Sequence, residues 1–252
     1  MLSVLISQIN MYTFKKNYLI LLFLSLLIFN SCAIDDSIPD DPISELNILT
    51  LGDSRVKGLP PTHQSYRYEL WKDLIDHDWT IDFIGPEIES NTYPEYAGLE
   101  FDGNHGAYGG YTTLDMLQSL QEMLPTLETP DIVLLGIGGV DLILTGDVET
   151  AIANIYEIIT VLQSNNPDVT IFLEQIAPGV INLKSQDILQ DFNDAIGALP
   201  IFTTTTTSTV VSVDMATGWS NAFLADNVHY NELGAKVVAD RYFDAIDEHV
   251  EQ

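Results

Sequence analysis

The chain has one cysteine, Cys32, in 252 residues, so no disulfide can form within it. Basic residues are scarce: nine Lys and Arg stand against 37 Asp and Glu, a formal net charge of −28. Nucleic acid and anionic membrane surfaces both require a cationic footprint, and this balance excludes them as partners. Such a charge favours solubility, and in salty water its self-repulsion is screened over about 10 Å or less. There are five histidines. No two of them share helical or hairpin spacing, so no metal site is expected, and the chain shows no need of a cofactor. Long apolar runs are missing as well. The longest, YLILLFLSLLIF (Tyr18 to Phe29), falls short of the roughly 20 residues that span a bilayer.

That run follows Lys15 and Lys16 and precedes Asn30, Ser31 and Cys32, the order of a secretory signal. Met11 is a more conventional start for it than Met1. The place of Cys32 directly after the run resembles the lipobox of bacterial lipoproteins, with Phe29 where leucine is usual and Asn30 an uncommon neighbour. The resemblance implies that Cys32 is acylated and becomes the mature N-terminus; the alternative is a free cysteine beside a simple cleavage site. AIDDSIPDDP (Ala33 to Pro42) reads as an acidic tether without a core. It is similar to the surface-export signal of some Gram-negative lipoproteins. The expected organisation is a signal peptide at 1–31, a tether at 32–43 and one domain at 44–252. The protein would be exported, lipid-anchored to the outer membrane of a Gram-negative bacterium and displayed at its surface, with the lipid as its only membrane contact.

The remaining sequence alternates strand-like and helix-like runs. NILTLG (Asn47 to Gly52), TIDFIG (Thr80 to Gly85), DIVLLGIG (Asp131 to Gly138), VTIFLEQI (Val169 to Ile176) and TVVSVDM (Thr209 to Met215) are strands. Helices are expected over Tyr66 to His77, Thr113 to Leu124, Asp147 to Pro167, residues 185–197 and from Asn231 to the C-terminus. Pro86 to Gly110, polar and glycine-rich, reads as a loop, and the threonine run Thr203 to Thr207 as a surface loop without chemistry. The pattern predicts an α/β domain with a parallel, five-stranded sheet and helices on both faces.

The first strand ends abruptly in LNILTLGDSRVKG, which places Asp53 and Ser54 just past its carboxyl end, the edge where open α/β sheets gather their ligands. Ser54 is either a helix cap or a nucleophile. A nucleophilic serine needs a base and a group to orient that base. LADNVHYNELGAK (Leu224 to Lys236) offers both, Asp226 and His229, three residues apart in the loop before the last helix. His63, His77, His105 and His249 have no such aspartate in a loop following a strand.

GDSR (Gly52 to Arg55) and DNVH (Asp226 to His229) resemble the first and last blocks of the SGNH hydrolases, the GDSL lipase/esterase family. The resemblance implies a flavodoxin-like three-layer α/β/α fold and metal-free hydrolysis of acyl esters, with Ser54 as nucleophile, His229 as base and Asp226 as its orienter. HGAYGGYTT (His105 to Thr113) is similar to the second block and would supply the Gly110 N–H to the oxyanion hole beside that of Ser54. Glycines serving loop flexibility are the plainer reading. The third block is normally Gly-x-Asn-Asp. Here IGGVD (Ile137 to Asp141) keeps Gly138 and Asp141 but has Val140 in the asparagine's place, and valine cannot donate a hydrogen bond. Three readings follow: a slow esterase, a donor from elsewhere (Asn104 or Gln175), or a glycan-binding pseudoenzyme.

Arg55 either binds an anionic or hydroxyl-rich substrate or pairs with one of the many carboxylates. Tyr108, Tyr111 and Trp219 either stack on sugar rings or pack. The wording of the blocks looks closer to the carbohydrate-active branch of the family. The expected substrate is therefore an acylated, above all acetylated, carbohydrate or another small ester, with a thioesterase or lysophospholipase as the rival reading.

Overall fold

A computed structural model describes residues 45–89, 93–180 and 187–251. The signal, the tether and Cys32 lie outside the described residues. The apolar run that opens the domain becomes β1 (Leu46–Gly52), and every residue from Ile48 onward is buried. It forms the middle of the sheet. On one side it pairs in parallel with β5 (Ile132–Gly136), which leads on through β6 (Thr170–Gln175) to β7 (Val210–Asp214), all parallel. Its other side is shared by two short strands: β2 (Ile81–Ile84) pairs with Leu46 to Leu49, and β4 (Asn104–Ala107) takes over at Leu51 and Gly52. A two-residue β3 (Glu87–Ile88) adds antiparallel to β4.

Seven strands therefore occupy the sheet. The five expected ones are all present, and the additional two arise from Pro86–Gly110, expected as a loop. β4 reads Asn-His-Gly-Ala, without alternation or β-branched residues. It becomes a strand because β2 ends at Ile84 and leaves the upper edge of β1 without a partner, so tertiary pairing overrides local propensity.

Strand alternation divides the core in two. Leu49, Leu51, Val133, Leu135, Ile171 and Leu173 point to the face covered by α3 (Thr113–Met123), α5 (Val148–Asn165) and α6 (Ile188–Thr203). Ile48, Ile132, Leu134 and Phe172 point to the opposite face, under α2 (Arg67–Asp76) and α7 (Glu232–His249). Both faces of the sheet's centre are thus buried, which explains why β1, β5 and β6 read as largely apolar runs.

Two short helices were not legible in the pattern: α1 (Ser54–Lys57) after β1 and α4 (Gly139–Leu144) after β5. Helix α6 also outruns its expected end, passing through Pro200 into the threonine run. Thr203 is its last residue and is buried, with its hydroxyl donating to the Leu199 carbonyl at 2.8 Å. The rest of the run forms side-chain turns, such as Thr205 Oγ1 accepting from the Ser208 N–H at 2.9 Å.

Candidate active site

Parallel strands end at one edge, and the order β2-β1-β5-β6-β7 reverses direction between β1 and β5, so a crevice opens there. Gly52 makes the turn into α1 possible. A Cβ at Gly52 would collide with the Gly136 carbonyl and Val56. Asp53, rather than Ser54, caps the short helix: its carboxylate accepts from the Arg55 N–H at 2.9 Å. The serine hydroxyl is thereby left for another partner.

That partner is His229. The Ser54 hydroxyl stands 2.9 Å from His229 Nε2, and His229 Nδ1 stands 2.8 Å from Asp226 Oδ2. An ionised carboxylate only accepts, so the hydrogen on Nδ1 points to Asp226 and Nε2 accepts from Ser54. The other oxygen, Asp226 Oδ1, takes the N–H groups of Val228 (2.7 Å) and His229 (2.8 Å), winding the loop into a tight turn. Partial burial pushes the Asp226 carboxyl up, but these N–H groups and the imidazole outweigh it and hold it down at about 2. Asp226 therefore carries its charge at any ordinary pH. The loop is closed behind by Ala225 N–H to the His229 carbonyl (2.8 Å), and Asn231 caps α7 through the Gly234 N–H (3.0 Å).

A second histidine belongs to the site and had no signal in the sequence. The His63 ring stacks on His229 with centroids 3.9 Å apart and 19° between planes. His63 is buried, and its Nδ1 has no hydrogen-bond partner among the described residues. Burial, and then the neighbouring imidazole, push its pKa down, so it stands neutral beside the base.

Arg55 is buried rather than free at the surface. Its Nε donates to the Val228 carbonyl at 2.8 Å and its Nη1 to the Ala177 carbonyl at 2.6 Å. It thus ties the serine's helix to the loop after β6 and to the histidine's loop. Behind it Glu174, fully inside the protein, accepts from Tyr230 at 3.1 Å and Tyr242 at 3.3 Å. Burial raises the Glu174 carboxyl to about 7 even though Arg55 opposes the rise.

The second-block turn is closed by Tyr111 N–H to the Tyr108 carbonyl at 3.3 Å, with the two tyrosine rings stacked 4.6 Å apart against the core. Gly109 lies against Ser54; a Cβ there would sit 3.9 Å from the serine Cβ. Gly110 adopts a φ of +82° and faces open space. Val140, in the first turn of α4, lines the crevice beside Ser54. Its neighbour Asp141 turns the other way and accepts from the N–H (2.9 Å) and hydroxyl (2.8 Å) of Thr113, which locks α4 to α3. The block's aspartate therefore holds the fold, while its asparagine position faces the site.

Neither stand-in donor reaches Ser54. Asn104 lies at the start of β4 opposite Ile88, and the Gln175 amide donates to the Asn193 carbonyl at 2.8 Å. Trp219 packs edge-on against Phe223 and Tyr230. Beside Ser54 a cavity of about 220 Å³ opens, walled by Val140, Leu142, Ile143, Ile176, Leu189 and Val228. No cluster of metal-ligating side chains occurs among the described residues.

A parallel α/β sheet carrying a serine, a histidine and an aspartate in hydrogen-bonded relay at its carboxyl edge is the arrangement of a serine hydrolase. The chain belongs to the GDSL-like lipase/acylhydrolase family, whose profile matches residues 50–237, and is an ester hydrolase of that GDSL/SGNH type. Among solved structures it is similar to a family 3 carbohydrate esterase from Talaromyces cellulolyticus, with a TM-score of 0.69 at 22% identity over 81% of this chain and 97% of that one. A family 3 carbohydrate esterase from Clostridium thermocellum gives 0.68 at 23% identity over 81% and 96%. An acetyl esterase mutant with an acetate ion gives 0.70 at 21% identity over 81% and 97%. At such identities the likeness speaks for the fold. No curated protein matches the sequence.

Proposed function

We propose that the protein is a serine esterase that removes acyl groups from carbohydrate, the acetyl ester being the simplest substrate. The observation that carries the reading is the relay from Ser54 through His229 to Asp226, at 2.9 Å and 2.8 Å. In this mechanism His229 Nε2 takes the Ser54 proton as Oγ attacks the ester carbonyl, and Asp226 stabilises the imidazolium that results. The N–H groups of Ser54 and Gly110 receive the oxyanion. Collapse breaks the bond to the alcohol, which leaves with the proton from His229, and an acyl-serine remains. Water then repeats the sequence, releasing the carboxylic acid and restoring Ser54. Arg55 supports both sides of the relay through the Ala177 and Val228 carbonyls.

The fold likeness to carbohydrate esterases supports the sugar side of this reading. A lipid-type esterase has one observation in its favour, the apolar wall of the cavity. A binding protein without turnover has only Val140. The exported, lipid-anchored location is also part of the proposal and rests on the Tyr18–Phe29 run and Cys32. The decisive experiment pairs fluorophosphonate labelling with release of acid from acetylated oligosaccharides and nitrophenyl esters. Wild type should label at Ser54 and turn over, and Ser54→Ala should do neither while unfolding at an unchanged temperature. Labelling that persists in Ser54→Ala places the nucleophile elsewhere.

A further inference from the structure

We infer that the cavity beside Ser54 is a seat for the acyl chain of the substrate and that it selects an unbranched acyl group of about six to eight carbons over acetyl. The inference rests on the esterase reading above and concerns which ester that site prefers.

Among the described residues the cavity lining contains seven apolar side chains: Val140, Leu142, Ile143, Ile176, Ala177, Leu189 and Val228. Its two charged neighbours each hold backbone groups. The Asp53 carboxylate holds the Arg55 N–H, and the Arg55 guanidinium holds the carbonyls of Ala177 and Val228. Among the described residues, the other polar side chains on the lining are the Ser54 hydroxyl and the His229 imidazole, both needed for the reaction. A sugar placed against the apolar wall would lose hydrogen bonds to water that those side chains cannot replace. A hydrocarbon chain has none to lose. The sugar is left to the other side of Ser54, where Gly109 and Gly110 are exposed.

Size gives the chain length. The cavity measures about 220 Å³; an apolar cavity of about 150 Å³ holds benzene, six carbons, so a chain of about seven carbons fits here. Seven carbons beyond the carbonyl make an octanoyl group; an acetyl group would leave most of the space empty. The apolar surface also continues outward. Ile143 at the wall is 44% exposed, its neighbour Leu144 64%, and Val180, next to the lining residue Gly179, 49%. Val140 belongs to this design. Where the family's asparagine would present an amide, this chain presents two methyl groups to the same cavity.

The test uses the full-length protein and two ester series. In the first, nitrophenyl acetate, butyrate, hexanoate, octanoate and laurate vary the acyl group. In the second, acetates of ethanol, butanol and octanol vary the alcohol. The expected result is a rise in kcat/KM of about fourfold per methylene up to hexanoate or octanoate, a fall at laurate and no comparable rise in the alcohol series. Ile143→Asp and Ile143→Trp, both at the partly exposed mouth, should each lower the octanoate-to-acetate ratio at least tenfold.

A profile that falls steadily from acetate, a rise in the alcohol series instead, or an unchanged ratio in both variants overturns the acyl seat. In each of those cases ester turnover at Ser54 stands. No turnover of any ester overturns the esterase reading, and the acyl seat with it.

Discussion

His63 lies flat on the back of His229, its ring centroid 3.9 Å from that of the base. The contact is between a buried imidazole held neutral and the imidazole that must accept a proton from Ser54. His229 is fixed at its edges by Ser54 and Asp226, and His63 fixes its plane. Removing the ring should loosen the base without touching the substrate. His63→Ala is expected to lower kcat by up to about 10²-fold, the cost of misplacing a reacting group by about 1 Å, with KM little changed. His63→Phe keeps a flat ring and should restore most of the rate. Steady-state kinetics on both variants, beside thermal unfolding, decides it; equal losses in the two would show that stacking is not what matters.

Asp226 fixes the tautomer as well as the position of His229. Asp226→Asn keeps the shape of the turn but replaces an acceptor charge with a neutral amide, which favours the wrong nitrogen for the proton. Turnover should fall about 10⁴-fold, as expected for a relay that loses its orienting carboxylate. Fluorophosphonate labelling of Ser54 should slow in parallel. A loss of tenfold or less would mean that the turn, rather than the charge, orients the base.

Glu174 ties stability to pH. Its folded pKa of about 7 lies above the unfolded value of 4.5. Between those values the folded protein keeps a proton that the unfolded chain releases, so this group's contribution is present at low pH and lost as pH rises towards 7. His105 works the other way: burial, with Arg67 and Lys57, brings it down to about 3, and its contribution is lost as pH falls below 6.5. Glu174→Gln isolates the first effect. Relative to wild type, the variant should gain on the order of a few kcal/mol between pH 4.5 and pH 7. Denaturant unfolding at the two pH values measures the difference, and a gap that does not change with pH removes Glu174 as its source.

The serine, histidine and aspartate that the fold brings together were legible because such chemistry restricts residue type. Gly-Asp-Ser after an apolar strand and Asp-x-x-His before a helix leave few alternatives, and the fold places both at one sheet edge. The central strands β1, β5 and β6 were legible because burial on both faces makes them largely apolar runs, and β2 and β7 by their β-branched and aromatic residues. β4 was not, since its four residues become a strand only when β1 offers an unpaired edge. His63 was not either: a residue that acts by stacking on a ring 166 positions away leaves no local pattern. Arg55 was legible as important but not in its role. The sequence offers it 37 carboxylates, and the fold gives it two carbonyls instead.

Cys32 is testable by its chemistry alone. Cells producing the full chain should incorporate fatty acid into it, and Cys32→Ala should shift the protein from the membrane fraction to the soluble one. Each buried CH₂ of a lipid contributes about 0.8 kcal/mol, so several acyl chains hold where an acidic tether cannot. A wild-type protein recovered soluble and unlipidated would remove the anchor.

Val140 joins the oxyanion question to the acyl pocket. A donor aimed at the developing oxyanion acts in the transition state, and losing one typically costs about 10²–10³ in turnover. Val140→Asn restores an amide at a position that lines the cavity beside Ser54, on a helix already locked by Asp141 to Thr113. Turnover of acetate should therefore rise, by up to about 10²-fold if the amide reaches the oxyanion. The same change puts a polar group into an apolar wall, so the preference for octanoate over acetate should fall. An amide left unpaired would cost about 1–3 kcal/mol of stability, which thermal unfolding would reveal. A gain on acetate with a loss on octanoate would show that Val140 trades an oxyanion donor for a chain-binding surface. A well-folded variant with neither change would mean that the oxyanion is stabilised without this position.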